Sequence, residues 1–337
     1  MAKRILYPLI LALLAYVLFS NDDAKVIIAG IAIFLIGMVF MEDGFKLFSG
    51  GILEKVIQKS TNSIPKAIGT GFLSTSIVQS SSLVSIIVIS FLSAGLISLS
   101  GAIGIVFGSN IGTTTTAWIV SSFGVKIKIS AYAMPMIIFG VLFRFSASNS
   151  LKGFGNVLLG LGFVFLGISY MKDGFETLKA GLDLSQFAME GYLGVIVYIA
   201  LGAIATIVIQ SSSATMALII TALATGQIVY LNALELAIGA NIGTTVTAVI
   251  AALASNSNGK RLAVAHFIFN ITTGIIAIVF LYQLADFVDF LASKISIAAD
   301  DYTMKLALFH TVFNLIGVIV VSPFTYKLEK YLKGLFR

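Results

Sequence analysis

Long apolar runs, broken by short charged or glycine-rich joints, set the plan of this 337-residue chain. Between Lys66 and Lys126 lie 59 residues without Asp, Glu, Lys, Arg or His, and between Glu190 and Glu235 another 44. A helix rises about 1.5 Å per residue, so about 20 apolar residues cross about 30 Å of hydrocarbon. The pattern predicts eight crossing helices, over 5–20, 26–41, 99–121, 130–146, 153–171, 231–254, 262–281 and 303–323. Two further apolar stretches, 65–98 and 191–226, are cut by Gln79-Ser80-Ser81-Ser82 and by Gln210-Ser211-Ser212-Ser213. The pieces on either side are about 15 residues, or about 22 Å as helix, too short to span. Each stretch therefore reads as a re-entrant hairpin of two half-helices. Non-helical backbone at membrane depth survives only against protein or a water-filled cavity, so both polar tips should face something other than lipid. The expected fold is an all-α polytopic membrane protein. Segments 45–60 and 175–189 mix apolar and charged residues at helical spacing and should lie along the interface.

Composition sharpens this reading. Apolar residues make up 58% and charged residues 11%, against about 25% charged in a soluble domain. That excludes a soluble globular protein, a disordered chain and a nucleic-acid-binding module. The net charge of +6 reflects topology: with both termini cytoplasmic, fourteen Lys and Arg, among them Lys3, Arg4, Lys260 and Arg261, fall inside and seven outside. Residues 5–20 follow Lys3-Arg4 as a signal peptide would, but no A-x-A-like site precedes Asn21, which favours an uncleaved first helix. With no cysteine, disulfides and thiolate chemistry are excluded. There is no nucleophile elbow, P-loop or His/Asp/Glu cluster, and no base stands near either serine run. The chain reads as no enzyme, with no organic cofactor and no transition-metal site.

The same pattern occurs twice. The Gln-Ser-Ser-Ser runs are offset by 131 residues, as are Gly108-Ser109-Asn110-Ile111-Gly112-Thr113-Thr114 and Gly239-Ala240-Asn241-Ile242-Gly243-Thr244-Thr245. Met41-Glu42-Asp43-Gly44-Phe45 recurs as Met171-Lys172-Asp173-Gly174-Phe175, offset 130. Three crossings separate equivalent points, an odd number, so the second copy should be inverted. Inverted repeats with broken helices at the midplane mark secondary transporters. The expected organisation is an N-terminal transmembrane helix in 1–25, repeat 1 over 26–146, repeat 2 over 152–281, and an interfacial segment with a transmembrane helix over 282–337.

Two tips meeting at midplane gather six serines and two glutamines. Each tip starts a half-helix whose first N–H groups lack partners and carry partial positive charge, an anion site. Serine hydroxyls donate to an oxyanion, and glutamine offers a donor or a carbonyl acceptor. No Arg or Lys lies within either hairpin, so sodium ions held by Gln, Ser and Thr oxygens and exposed carbonyls would compensate the anion. Asn110, Thr113 and Thr114 share one helix face, as do Asn241, Thr244 and Thr245, with Thr116 and Thr247 nearby. Gly112 and Gly243 should loosen the helix beside these faces. His266 and Asn270, and His310 and Asn314, are i, i+4 pairs suited to bonds between helices or to proton sensing. Glu235 is an intramembrane carboxylate about one turn from its helix end, equally suited to a site or to the interface. Asp43 and Asp173 read as helix-end markers.

The paired Gln-Ser-Ser-Ser tips, each followed 29 residues later by Gly-x-Asn-Ile-Gly-Thr-Thr, resemble the type II sodium–phosphate cotransporter family. The resemblance covers residues 26–325, and the chain looks like a bacterial member without a C-terminal soluble domain. It implies a multi-pass protein of the bacterial inner (cytoplasmic) membrane, with Na+ and inorganic phosphate as its partners besides the lipid bilayer. Phosphate is implied at Ser80, Ser81, Ser82, Ser211, Ser212 and Ser213, with Asn110 and Asn241. One sodium is implied at Gln210, Ser211, Thr244 and Thr247, and a second, by symmetry, at Gln79, Ser80, Thr113 and Thr116. Transport of another small anion, phosphate export, and a non-transporting scaffold are the alternatives. No motif assigns an oligomeric state.

Overall fold

The structure, a computed structural model, describes residues 12, 15–49, 51–59, 61–125, 130–189, 191–253 and 255–336. Among them the chain is nearly all helix, without a strand. The helices are α1 (Asp22–Ser49), α2 (Ile52–Lys59), α3 (Ile64–Val78), α4 (Ser81–Ser93), α5 (Leu99–Ile119), α6 (Ser130–Arg144) and α7 (Asn149–Gly181). They continue with α8 (Gly191–Ile209), α9 (Ser212–Ala224), α10 (Tyr230–Leu253), α11 (Ser257–Val279), α12 (Leu281–Lys294), α13 (Tyr302–Val321) and α14 (Thr325–Lys333). A π-turn at Val120–Gly124 extends α5.

Seven of the described segments are long and apolar enough to cross a membrane, which makes this a polytopic membrane protein. Six fall on expected spans. The seventh is α8, expected as a half-helix: its 19 residues measure about 28 Å. The 130–146 span appears instead as the 15 residues of α6, interrupted by Pro135 and about 22 Å long. The expected helix 5–20 falls largely outside the described residues. Asp43 and Asp173 do not end helices, because α1 runs on to Ser49 and α7 to Gly181. The outward face of α8, with Leu193, Ile196, Ile204 and Val208 all exposed, suits lipid.

Glycines set how the long helices meet. A Cβ on Gly30 would lie 2.7 Å from the carbonyl oxygen of Gly167; Gly37 faces Gly160 and Gly44 faces Gly153 at the same distance. Rising numbers on α1 meet falling numbers on α7, so the two helices are antiparallel. The spacing of seven keeps the glycines on one seam. Small residues let the backbones touch, which replaces the hydrophobic drive that lipid cannot give. The offset of 130 carries Gly30 to Gly160 and Gly37 to Gly167, so it maps the Gly30–Gly167 contact onto the Gly37–Gly160 contact.

The same device fixes each broken helix. A Cβ on Gly112 would meet the Phe72 carbonyl oxygen of α3 at 2.7 Å, and one on Gly243 the Ala203 carbonyl oxygen of α8 at 2.6 Å. These motif glycines therefore admit a neighbouring backbone, where the sequence suggested a loosened helix. Around this frame the buried apolar residues form two clusters, one containing α4, α5 and α11, the other α9, α10 and α13.

Candidate functional site

Both polar runs break a helix in the same way. Gln79 and Gln210 each take φ +58, a left-handed conformation that ordinary residues rarely adopt. Gln79 N–H closes α3 on the Thr75 carbonyl at 2.7 Å, and Gln210 N–H closes α8 on the Thr206 carbonyl at 2.8 Å. The following serines then cap the next helices. Ser80 Oγ accepts from Leu83 N at 3.1 Å, and Ser211 Oγ from Ala214 N at 3.2 Å. Thus α4 and α9 both begin at these turns, with their first N–H groups lacking helical partners.

The two turns come together. A cavity of about 190 Å³ is lined by Gln79, Ser80, Ser81, Ser82, Gln210, Ser211, Ser212 and Ser213, and by Leu35, Met38, Val39 and Glu42 of α1. All eight residues of the two runs share this space, although 131 positions separate them. Thr116 stitches one half to the other. Its hydroxyl donates to Gln79 Oε1 at 2.8 Å and lies 3.3 Å from Ser213 Oγ.

The remaining expected site residues do not line the cavity. Thr113 Oγ1 donates to the Ser109 carbonyl at 3.0 Å, Thr244 Oγ1 to the Ala240 carbonyl at 3.0 Å and Thr247 Oγ1 to the Thr244 carbonyl at 2.7 Å. A hydroxyl that gives its hydrogen to its own helix keeps lone pairs for a cation. Asn110 and Asn241 do not line the cavity. Asn110 Nδ2 donates to the Val106 carbonyl at 2.9 Å. Asn241 Nδ2 donates to Asn270 Oδ1 at 3.3 Å, and Asn270 Nδ2 returns a bond to the Asn241 carbonyl at 3.0 Å. His266 Nε2 completes this network, 3.1 Å from Asn270 Nδ2, so the first His/Asn pair bonds between helices. The second stays local, with Asn314 Nδ2 donating to the His310 carbonyl at 2.9 Å. Glu235, fully buried, accepts from Asn232 Nδ2 at 2.9 Å, away from the cavity.

The two halves are not identical. Gln79 is buried, and its amide also donates to Thr115 Oγ1 at 2.8 Å and to the Ser76 carbonyl at 2.5 Å. Gln210 is exposed and donates to the Ile207 carbonyl. The sequence explains the difference: position 246, equivalent to Thr115, is valine, with no hydroxyl to hold a glutamine amide. Likewise Thr75 Oγ1 meets Ser109 Oγ at 2.8 Å, whereas Thr206, facing an alanine at 240, bonds Thr215 at 3.1 Å. Thr115 and Glu42 stand outside the expected site. Glu42 was discernible in principle, because Leu35, Met38 and Glu42 follow the i, i+3, i+7 pattern of one helix face.

The sequence matches the Na+/Pi-cotransporter family over residues 33–173 and 184–327. The "Uncharacterized protein YqeW" of Bacillus subtilis is 30% identical over 265 residues, 78% of this chain and 84% of that protein. The "Putative inorganic phosphate export protein YjbB" of Salmonella typhimurium is 27% identical over 268 residues, 79% of this chain but 48% of that protein. The human "Sodium-dependent phosphate transport protein 2B" is 41% identical over 88 residues, 25% of this chain and 12% of that protein. No solved structure matches. With both serine-turn helix pairs inside the matched segments and the match spanning most of the sequence, this multi-pass membrane protein belongs to the Na+/Pi-cotransporter family.

Proposed function

We infer that this chain is a sodium-coupled phosphate symporter of the bacterial inner membrane, built from two inverted repeats. The observation that carries the reading is the shared cavity: two helix N-termini and six serines converge on one space of about 190 Å³ with no Lys or Arg in its lining. The helix starts and hydroxyls present donors to an oxyanion. Without a fixed cation in that lining, the anion needs mobile ones, and each bound charge lowers the cost of the other in a low-dielectric site. Phosphate sits among Ser80, Ser81, Ser82, Ser211, Ser212 and Ser213. Sodium takes the oxygens of Gln79, Thr113 and Thr116 in one half, and of Gln210, Ser211, Thr244 and Thr247 in the other. The antiparallel pairing of α1 with α7, whose contacts the repeat offset exchanges, supports an inverted arrangement. The identical turns at Gln79 and Gln210 support hairpins that enter and leave on one side. Alternating access follows as one half moves against the other around the cavity.

Radiolabelled phosphate uptake into proteoliposomes tests this reading. Replacing external sodium by potassium is expected to abolish uptake; equal uptake in both ions rejects the coupling. The phosphate-export names of the YjbB relatives favour a second reading of direction. Efflux from phosphate-loaded vesicles, measured with the sodium gradient in each orientation, separates the two.

A further inference from the structure

The cavity contains one residue that an anion site does not need. Eleven of its twelve lining residues are neutral, and the twelfth is Glu42. It stands on the α1 wall, whose other members, Leu35, Met38 and Val39, are apolar, and its side chain is 27% exposed. Its Oε1 accepts from Lys46 Nζ at 2.9 Å, one turn along the same helix. No other hydrogen bond to Glu42 is formed among the described residues, so Oε2 keeps its accepting capacity.

A carboxylate beside an oxyanion repels it, unless the oxyanion brings a proton. Ionised carboxylates accept and do not donate. The serine hydroxyls and helix N–H groups are suited to bare oxygens, and the transport reading gives the side-chain oxygens of Gln79 and Gln210 to sodium. A protonated oxygen, the P–OH of hydrogen phosphate, requires an acceptor as well as those donors, and a carboxylate gives it a short charge-assisted bond. Sulfate has the same shape and carries no proton at neutral pH. It would meet Glu42 as one bare charge against another, the kind of repulsive contact that builds specificity. The bond from Lys46 holds the carboxylate in place.

Resting on the transport reading above, we propose that Glu42 is the specificity residue of the cavity: it accepts a hydrogen bond from the protonated oxygen of the substrate and thereby selects hydrogen phosphate, and equally hydrogen arsenate, over sulfate and selenate.

The experiment is competition against radiolabelled phosphate in proteoliposomes at neutral pH, for the full chain and for Glu42→Gln. Glutamine keeps the size, removes the charge and adds a donor. Wild type should be inhibited by arsenate and indifferent to sulfate. Glu42→Gln should bind phosphate about tenfold more weakly and sulfate at least about tenfold more tightly, since unpaired groups in a polar pocket govern discrimination on this scale. The same ratio is read in detergent from the rise in melting temperature with phosphate or sulfate, which needs no transport. Sulfate excluded equally by both proteins overturns the assignment. So does a variant whose sodium half-saturation moves while its oxyanion ratio stays fixed, which would make Glu42 a cation ligand. A wild type inert to phosphate in both uptake and melting overturns the transport reading and this assignment together, whereas the first two results overturn the assignment alone.

Discussion

The hydroxyl of Thr116 lies 3.3 Å from that of Ser213, across 97 residues of chain, and donates to Gln79 at 2.8 Å. One side chain thus joins the second motif of the first copy to the serine runs of both. Thr116 and Ser213 are both buried, so neither is exchanged cheaply for water. Thr116→Val keeps the shape and deletes the link. It is expected to cut sodium-driven phosphate uptake at least about tenfold, the scale of one lost bond in a charged network. Unchanged flux would show that the link is incidental.

The cap serines should be separable from the serines that follow them. Ser80 and Ser211 each spend one lone pair on a helix cap, so Ser80→Ala and Ser211→Ala lose about 1 kcal/mol of stability as well as transport. Ser81 and Ser212 are the first residues of their helices and cap nothing. Ser81→Ala and Ser212→Ala should weaken phosphate affinity about tenfold or more and leave the melting temperature of the ligand-free protein in place. Titration of phosphate against melting temperature measures both effects at once.

The unequal glutamines make a prediction about sodium. Thr115→Val gives the first copy the residue that the second copy carries at 246, and it removes the acceptor of a buried amide. The concentration of sodium for half-maximal uptake should rise several-fold, on the order of 1 kcal/mol for one neutral hydrogen bond. A sodium dependence identical to wild type would mean that the Gln79 amide plays no part in ion binding.

Helix contact can be tested with single methyl groups. A Cβ on Gly37 falls 2.6 Å from Val164 N and 2.7 Å from the Gly160 carbonyl, whereas one on Gly69 meets nothing within 4 Å. Gly37→Ala should destabilise by about 1–3 kcal/mol through overpacking. Gly69→Ala should be neutral or stabilising by about 0.5–1 kcal/mol, as expected for alanine in a helix. Thermal melts in detergent decide; equal melting temperatures would contradict the α1–α7 packing.

The reciprocal bonds between Asn241 and Asn270 tie α10 to α11 at 3.3 and 3.0 Å. A double-mutant cycle with Asn241→Ala and Asn270→Ala should return a coupling of about 0.6–1.7 kcal/mol, the range found for hydrogen bonds between membrane helices. A coupling of zero would leave the two residues independent.

Much of this molecule is written in one dimension. Membrane residence follows from uncharged runs such as 67–125, because lipid rejects charge wherever it falls along a helix. The two helix breaks follow from Gln-Ser-Ser-Ser interrupting apolar residues, because a local turn is set by its own few residues. The duplication follows from a constant offset. Lengths were less legible: where α6 and α8 begin and end is settled by packing and by the joints around them. What only the tertiary structure decided is which polar groups meet. Asn110 and Asn241 share a helix face with the motif threonines, yet helix rotation turns them to backbone and to Asn270, and the cavity closes without them. Glu42 lies 37 residues before Gln79 and 168 before Gln210; the helix face it shares with Leu35 and Met38 is legible, but not that this face meets either polar run. It reaches the cavity because glycines bring α1 and α7 into backbone contact and fix which face α1 turns inward, and contact between distant segments is the one property that sequence spacing does not encode.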